Sequence, residues 1–394
     1  MTFVEDRAVI TGVGQSQIGR RIGRSGIDLA LEAAERAVHH SGLDWDAIDG
    51  VASYPGPVAA EAGFVGATTH DVRDALGLRT RWHTSSVETS GQIGTLLDAA
   101  AAVATGRATH VLCFRSVCEA TAQAGGRASA LADKARRASG HGEFRMPFGA
   151  ASPANWIAMY AQRYMHDFGL TREQIGKLVI NSRTNAGRNP DAIYRQPMTM
   201  DDYLGARLIS WPLGLYDCDV PCDGATAVIL SRREESGGLA QTPIAIEAAG
   251  SALYSRHSWD QRPDLTTMAA HDAASAMWDT TDLTPADVDL ATLYDGFSYL
   301  TTQWIEALGF AEHGKVGPFL DDTDRYRLEG SLPINPHGGQ LSAGRLHGYG
   351  FLHEACVQLW GQAGDRQAPK DLAVAAVGIG GGPEAGCLLL RRDS

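Results

Sequence analysis

Polar rings and glycines crowd one short stretch of the chain, residues 335–350, NPHGGQLSAGRLHGYG. The stretch carries two imidazoles, one guanidinium and one phenol, on His337, His347, Arg345 and Tyr349. Side chains of these types hold, move or neutralise charge during proton transfer. A surface turn has no need of so many together, so we interpret the stretch as one wall of a site for acid–base chemistry.

Two glycine-rich stretches, PHGG at 336–339 and GIGGG at 378–382, could stabilise a negative oxygen. The backbone N–H groups that such turns expose suit a carbonyl oxygen that becomes negative during a reaction. The alternative is tight packing, because glycine lets two backbones approach closely. The candidates for the oxyanion role are Gly338, Gly339, Gly380 and Gly381.

A metal site is not expected from the histidines and cysteines. His337, His347 and His353, taken with Cys218 and Cys222, match no spacing of zinc ligands. The six cysteines form no short framework, and we expect reduced thiols in a cytoplasmic protein.

Composition limits the class of protein. The chain has 394 residues, of which 44% are hydrophobic, which is enough for a large buried core. Its net charge of -12 disfavours nucleic acid and anionic membranes as partners. The sequence has no apolar run of about 18 residues for a membrane span, and its N-terminus does not resemble a signal peptide. We expect a soluble cytoplasmic protein.

Short apolar strands alternate with helical segments. Residues 7–14 and 49–54 predict strands, and residues 28–44 predict a helix between them. A helix of small residues over 91–106 leads to a buried strand at 110–117. This alternation indicates an α/β fold, with a sheet covered by helices on both faces.

An internal repeat divides the chain. Residues 43–54, LDWDAIDGVASY, align without gaps on residues 283–294, LTPADVDLATLY, and each copy follows an alanine-rich helix. Both copies end in tyrosine, Tyr54 and Tyr294. We therefore predict a duplicated α/β unit. The predicted boundaries are 1–118 with 210–240 for the first half, 119–209 for an inserted loop or cap region, and 241–394 for the second half.

Four segments carry a resemblance to a known family. They are MPFGAASPANWIAMYAQRYMHDFGLTREQIGKLVINSRTNAGRNPDA, LISWPLGLYDCDVPCDGATAVIL, LYDGFSYLTTQWIEALGF and INPHGGQLSAGRLHG. Together with the duplication they resemble the thiolase superfamily, in its lipid-transfer-protein (sterol-carrier-protein-x) thiolase-like branch. The resemblance covers nearly the whole chain. It implies the thiolase fold, with duplicated βαβαβ halves in a layered α-β-α-β-α arrangement.

The thiolase catalytic motifs are replaced in this chain. Where the resemblance places the nucleophilic cysteine, the acid/base cysteine and the histidine of Gly-His-Pro, the sequence has Glu88, Gly378 and Arg345. The Asn-Glu pair falls on Tyr294 and Asp295. Acyl transfer through a thioester needs a thiolate, so thiolase activity is not expected.

Members of this branch act as aldolases on the β-hydroxyacyl-CoA side chains of steroids, and the resemblance implies the same reaction here. A base takes the β-hydroxyl proton, the Cα–Cβ bond breaks, and N–H donors hold the thioester enolate until an acid protonates it. The products would be a ketone and a short acyl-CoA such as propionyl-CoA. Because the thioester accepts the electrons, no cofactor is expected.

Tyr294 and Tyr349 are the candidates for the acid and the base, with the order left open. Arg345, His337 or His347 could stabilise a phenolate and lower the pKa of the tyrosine that acts as base. The alternative for each tyrosine is a core residue whose hydroxyl is satisfied by the backbone.

Two carboxylates have open roles. Asp295 could orient a catalytic ring, or it could cap the helix predicted to begin near Ser298. Glu88 could fill the pocket of the missing thiol, or it could support the helix predicted to begin at Gly91.

Partners follow from the resemblance. It implies a homodimer formed through the edge of the central sheet, with residues 110–117 as the contact strand. It also implies a small OB-fold, zinc-ribbon protein of the DUF35 type as a second partner. Arg20 and Arg21 could meet the phosphates of CoA or form a solvated basic turn. The competing functions are a thiolase-like acyltransferase with another nucleophile and a non-catalytic lipid-transfer or scaffold subunit.

Overall fold

The computed structural model describes residues 4–55, 63–86, 92–124, 140, 142–253, 259 and 262–393. Over these ranges a nine-stranded mixed sheet forms the centre of the molecule, beside a two-stranded hairpin. The strands are β1 (Ala8–Gln15), β2 (Gly50–Ser53), β3 (Trp82–Ser85), β4 (His110–Cys118), β5 (Leu208–Ser210), β6 (Leu213–Gly214), β7 (Asp223–Arg232), β8 (Ile244–Ala252), β9 (Leu290–Leu293), β10 (Val374–Gly380) and β11 (Ala385–Arg392).

Helices cover and connect these strands. They are α1 (Gly26–Ser41), α2 (Thr69–Leu76), α3 (Gly94–Ala104), α4 (Glu119–Ala122), α5 (Gly142–Arg145), α6 (Pro153–Phe168), α7 (Arg172–Gly187), α8 (Met200–Gly205), α9 (Ala269–Trp278), α10 (Ser298–Ala307), α11 (Val316–Asp321), α12 (Thr323–Tyr326), α13 (Gly339–Ser342) and α14 (Gly348–Leu359). Among the described residues, none of these helices is long and apolar enough to cross a bilayer.

Strand order repeats about the middle of the large sheet. From edge to edge it runs β3-β2-β4-β7-β1-β8-β11-β10-β9. The central strands β1 and β8 pair antiparallel, and each pairs antiparallel with its outer neighbour, β7 or β11. Further out, β2 runs parallel to β4 as β9 does to β10. Four strands of each half therefore follow the same arrangement, and β3 is an additional strand beside β2.

The two copies of the sequence repeat occupy equivalent places in these halves. A 3₁₀ turn, Trp45–Ala47 or Pro285–Asp287, leads into β2 or β9, and the repeat's tyrosine follows the strand. Asp49 accepts two backbone N–H groups at the entry to β4, at 2.8 and 3.0 Å. Asp289 does the same at the entry to β10, also at 2.8 and 3.0 Å. These shared contacts support the predicted division into halves, whose boundaries stay a prediction.

The core lies in layers. Apolar side chains of α3 and α14 pack between the inner faces of both sets of strands, where they meet Val111 and Cys113 of β4 and Val377 of β10. The alternate residues of β4, Leu112 and Phe114, point outward against α1. Helices α9 and α10 cover the outer face of the second half. The predicted α-β-α-β-α order is confirmed.

The expected dimer strand is not at an edge. Strand β4 lies between β2 and β7, and its side chains are buried on both faces. The prediction that residues 110–117 form the contact edge is therefore wrong. A continuous apolar run is typical of such an interior strand. The edges of the described sheet are β3 and β9.

Candidate active site

A cavity of about 420 Å³ opens where the inserted region meets the second half. One of its walls is polar and the other is apolar. The polar wall is made by Gln92, Asp219, Tyr294, Arg345 and His347. These five residues come from four separate segments of the chain, with Arg345 and His347 on the same one.

Aromatic rings form the opposite wall. Trp156 of α6 and Trp259 lie with ring centroids 6.4 Å apart, and Phe297 and Leu300 continue the surface. The guanidinium of Arg145 stacks 4.1 Å over Trp156. A flat apolar group can lie against this wall while polar chemistry occurs opposite.

Tyr294 stands at the end of β9, where its N–H donates to the carbonyl of Gly378 at 2.8 Å. Its ring folds over Gly296, at which a Cβ would lie 2.7 Å from the ring. Its hydroxyl is 3.4 Å from Nε2 of Gln92. Burial, followed by the charge of Asp219, raises the pKa of the phenol well above its ordinary value. At neutral pH the phenol therefore keeps its proton and can donate it.

Arg345 is buried and held by two carboxylates. Its Nε donates to Glu119 at 2.7 Å, and its Nη1 lies 3.2 and 3.3 Å from the two oxygens of Asp219. Burial alone would raise the pKa of Glu119, but Arg345 and then His347 lower it to about 2. Burial works against the charge of Arg345 too, yet Asp219 and Glu119 raise its pKa, so it remains a cation.

His347 has a strained backbone. Its φ is 60°, and Gln92, which contacts it, has φ 70°. Such angles are unfavourable for residues other than glycine and cluster at functional sites. The amide Nε2 of Gln92 lies 3.1 Å from Nδ1 of His347, while Nε2 of His347 is 3.6 Å from Glu119. Burial, followed by the charge of Arg115, lowers the pKa of His347 to about 4, so the ring is neutral at pH 7.

Tyr349 does not reach this cavity. It is fully buried in the central layer, and its hydroxyl lies 3.3 Å from Oγ1 of Thr95 on α3. The prediction that it faces a shared pocket with Tyr294 is wrong, because α14 begins at Gly348 and turns the ring into the core. Burial raises the pKa of this phenol as well.

Asp295 faces a different helix from the one expected. Its carboxylate accepts the backbone N–H groups of Gln340, at 2.6 Å, and Leu341, at 3.4 Å, at the start of α13. Neither the predicted cap of α10 nor the orientation of a catalytic ring is observed, and burial raises its pKa to about 8 despite these hydrogen bonds. A Cβ at Gly339 would overlap this carboxylate.

The glycine candidates separate into two pairs. A Cβ at Gly338 would lie 2.5 Å from Ala186, so Gly338 and Gly339 serve close packing and lie outside the cavity lining. Gly380 and Gly381 line the cavity. The N–H of Gly381 donates to the carbonyl of Glu384 at 3.1 Å, so this N–H is already used within the turn.

His337 lies in a separate small cavity of about 20 Å³. Its ring packs edge-on against Phe351, at 5.3 Å between centroids, and burial lowers its pKa to about 4. It takes no part in the polar wall, so the predicted catalytic role lacks a contact with the cavity.

Two further predictions concern Glu88 and the pair Arg20 and Arg21. Glu88 lies outside the described residues. Arg20 donates to the hydroxyl of Tyr194 at 3.1 Å and lines a neighbouring cleft, whereas Arg21 reaches the carbonyl of Ala124 at 3.4 Å.

Neither of the two positions at which a thiolase carries a catalytic cysteine has a cysteine in this sequence, which has Glu88 and Gly378 there. A side chain at Gly378 is blocked, because a Cβ there would lie 2.6 Å from the indole of Trp304. Trp304 is fully buried, and its Nε1 donates to the carbonyl of Gly380 at 3.0 Å. All six cysteines are described, and none of them is among the described residues that line the cavity.

One cluster elsewhere has the residue types of a metal site. Ligand atoms of His271, Glu306 and His313 lie within 4.8 Å of one another. The N–H of Met268 donates to Nδ1 of His271 at 3.2 Å, so the neutral ring carries its proton on Nε2, the remaining nitrogen. A metal ligand needs that nitrogen unprotonated, and the contact therefore opposes coordination.

Sequence reasoning missed Asp219, Glu119, Gln92 and the two tryptophans of the apolar wall. Asp219 lies in the motif DCDVPCDGA, which was recognised only for its resemblance. The remaining residues carry no local signal, because each reaches the cavity only through the packing of distant segments.

Comparison with known proteins gives consistent matches. A family model described as thiolase C-terminal domain-like matches residues 251–389. The chain is 32% identical to the steroid side-chain-cleaving aldolase of Thermomonospora curvata, over 100% of both proteins. It is also 32% identical to the 17-hydroxy-3-oxo-4-pregnene-20-carboxyl-CoA lyase of Mycobacterium tuberculosis, over 98% of this chain and 100% of that protein. The solved Ltp2-ChsH2(DUF35) aldolase matches with a TM-score of 0.86 and 30% identity, over 100% of this chain and 99% of that one.

Proposed function

The chain belongs to the thiolase superfamily, in the group of steroid side-chain-cleaving aldolases, and from this membership we propose that it is a carbon–carbon lyase acting on a β-hydroxyacyl-CoA. The reaction releases a ketone and a short acyl-CoA such as propionyl-CoA. The bulky acyl group is a steroid side chain still attached to its rings.

The observation that carries this proposal is the composition of the cavity. A phenol, an arginine–carboxylate pair and several aromatic rings line one cavity, and none of the described lining residues is a cysteine. Acyl transfer by the thiolase route needs a thiolate. Retro-aldol cleavage needs only a base, an acid and a stabilised enolate oxygen.

The electrons and protons balance without a cofactor. A base takes the proton of the β-hydroxyl, and the oxygen lone pair forms the ketone carbonyl. The Cα–Cβ bond breaks, and its electron pair enters the enolate of the thioester. Tyr294, whose phenol stays protonated, then transfers a proton to Cα. In this proposal the cation Arg345 and the turn at Gly380, which line the cavity, stabilise the enolate oxygen.

The aromatic wall supports the choice of acyl group. Trp156, Trp259 and Phe297 offer flat apolar surface opposite the polar groups. A rigid polycyclic ring system buries much apolar area at little conformational cost. The names of the two curated relatives point to the same class of substrate.

We also propose the partners and the compartment. A protein of the DUF35 type is supported by the matched Ltp2-ChsH2(DUF35) aldolase. A homodimer would use an edge of the large sheet, and β3 is the edge strand of the first half. Six unpaired cysteines fit a reducing cytoplasm.

The test is direct. Purified protein, alone and with a DUF35-type protein, is incubated with a panel of β-hydroxyacyl-CoAs that differ in the size of the acyl group, and products are identified by mass spectrometry. Equal amounts of ketone and short acyl-CoA, formed without free CoA, are expected for the steroid substrate. Turnover that requires free CoA and yields a trapped acyl-enzyme would instead support acyl transfer.

A further inference from the structure

We propose that Asp219 is the general base that removes the β-hydroxyl proton, so that a carboxylate and the phenol of Tyr294, rather than two tyrosines, carry out the proton transfers. This inference rests on the proposed aldolase function and names a catalytic residue for it. Three observations support it: Asp219 lines the cavity, its carboxylate contacts Arg345, and Tyr349 does not line the cavity.

The backbone ties Asp219 to the turn that carries Tyr294. The N–H of Asp219 donates to the carbonyl of Gly296 at 3.2 Å, and its neighbour Cys218 forms a β-bridge with Phe297. On the other side, the N–H of Val220 donates to the carbonyl of Gln340 at 3.0 Å. The carboxylate is thus tied to the same turn that carries Tyr294, and both residues line the cavity.

The charged groups around Asp219 allow its carboxylate to take up a proton. Arg345 contacts both oxygens of Asp219, and it also has a second carboxylate, Glu119, at 2.7 Å. When Asp219 becomes neutral, Glu119 still pairs with the guanidinium. No buried cation is then left without a counter-ion, which would be costly. Glu119 is the carboxylate that stays ionised, because Arg345 and His347 lower its pKa.

The cycle closes within the same pair of residues. After cleavage Asp219 holds the proton from the hydroxyl, and Tyr294 has given its own proton to Cα. The phenolate and the protonated carboxyl then line the same cavity, and a proton passing from Asp219 to Tyr294 restores both groups. A phenolate is ordinarily a stronger base than a carboxylate, and burial of Tyr294 raises the pKa of its phenol further.

The experiment compares Asp219→Asn with Glu119→Gln in the full-length protein, under the conditions in which the wild type cleaves its substrate. Each variant removes one carboxylate from Arg345. If Asp219 is the base, Asp219→Asn lowers kcat by about 100-fold or more with a small change in KM, and the acidic limb of kcat/KM against pH disappears. Glu119→Gln keeps that limb and loses less activity.

Other outcomes would show that Asp219 is not the general base. Equal losses in the two variants, with the acidic limb kept in both, would mean that Asp219 only positions Arg345. Asp219→Glu covers the case in which Asp219→Asn does not fold, because it retains the charge. Its acidic limb is expected to move upward, and an unmoved limb would overturn the inference. A wild type without lyase activity would refute the proposed function itself, whereas an active Asp219→Asn would refute this inference alone.

Discussion

Tyr54 and Tyr294 occupy the same place in the two halves of the molecule, directly after the equivalent strands β2 and β9. Tyr54 is buried beneath Arg115, whose guanidinium lies 5.5 Å from the ring centroid and donates to the carbonyl of Tyr54 at 3.2 Å. Tyr294 instead lines the cavity, as Asp219 does. Duplication therefore supplied two equivalent positions, and the segments packed in front of each one decide whether it packs or reacts.

The largest difference in kcat is expected between a variant that lacks the hydroxyl of Tyr294 and one that lacks the hydroxyl of Tyr54. Tyr294→Phe should lower kcat by about 100-fold or more, because a proton donor to Cα is lost. Tyr54→Phe should stay within a fewfold of the wild type, because no step needs its hydroxyl. Steady-state kinetics on the steroid substrate would measure both. Similar losses in the two variants would break the comparison.

The segment that follows β4 also contributes charge to the site, through Glu119 at the start of α4. Its pKa in the folded protein is about 2, below the ordinary value of 4.5, so its stabilising effect is present above pH 4.5 and is lost as the pH falls toward 2. Glu119→Gln should therefore lower the free energy of unfolding by about 3 kcal/mol at pH 7. In urea titrations the gap between variant and wild type should narrow at pH 3, and a gap independent of pH would contradict this assignment.

The ring of Tyr294 can be displaced by a substitution that leaves its hydroxyl in the protein. In Gly296→Ala the new Cβ would lie 2.7 Å from the ring, which must move. A displacement of this kind should reduce kcat by about tenfold or more. Gly205→Ala is the matched control, because no atom lies within 4 Å of its Cβ position. An unchanged kcat in Gly296→Ala would show that the position of the ring is not critical.

The smallest effect is expected at Tyr349. Tyr349→Phe loses one contact of 3.3 Å with Thr95 and should lower the free energy of unfolding by about 1 kcal/mol. Its kcat should remain close to that of the wild type, as for Tyr54→Phe. A large loss of kcat with an unchanged melting temperature would show that the hydroxyl of Tyr349 takes part in catalysis.

The fold was largely predictable because its signals are local or repeated. The aligned segments 43–54 and 283–294 fixed the two equivalent strands, and the continuous apolar runs marked buried strands. The edge assigned to β4 failed although its run of apolar residues is typical of an interior strand. A strand's neighbours are set by tertiary pairing, which the run itself does not encode.

The site was predictable only in part. Arg345, His347 and Tyr349 lie close in sequence and were expected on one wall, but the positive φ of His347 and the start of α14 turn Tyr349 away from the other two. Asp219 could have been suspected from its acidic motif. Its pairing with Arg345 depends on the contact between segments more than a hundred residues apart, as the 126-residue separation shows.

The indole of Trp304 packs against Gly378, so the residue types tolerated at these two positions depend on each other. A cysteine restored at position 378 would collide with that ring, while a smaller residue at 304 alone would leave a hole in the core. Both substitutions would have to arrive together for sulfur chemistry to return, since each by itself is harmful. A cysteine at position 378 is therefore expected to be tolerated only together with a smaller side chain at position 304.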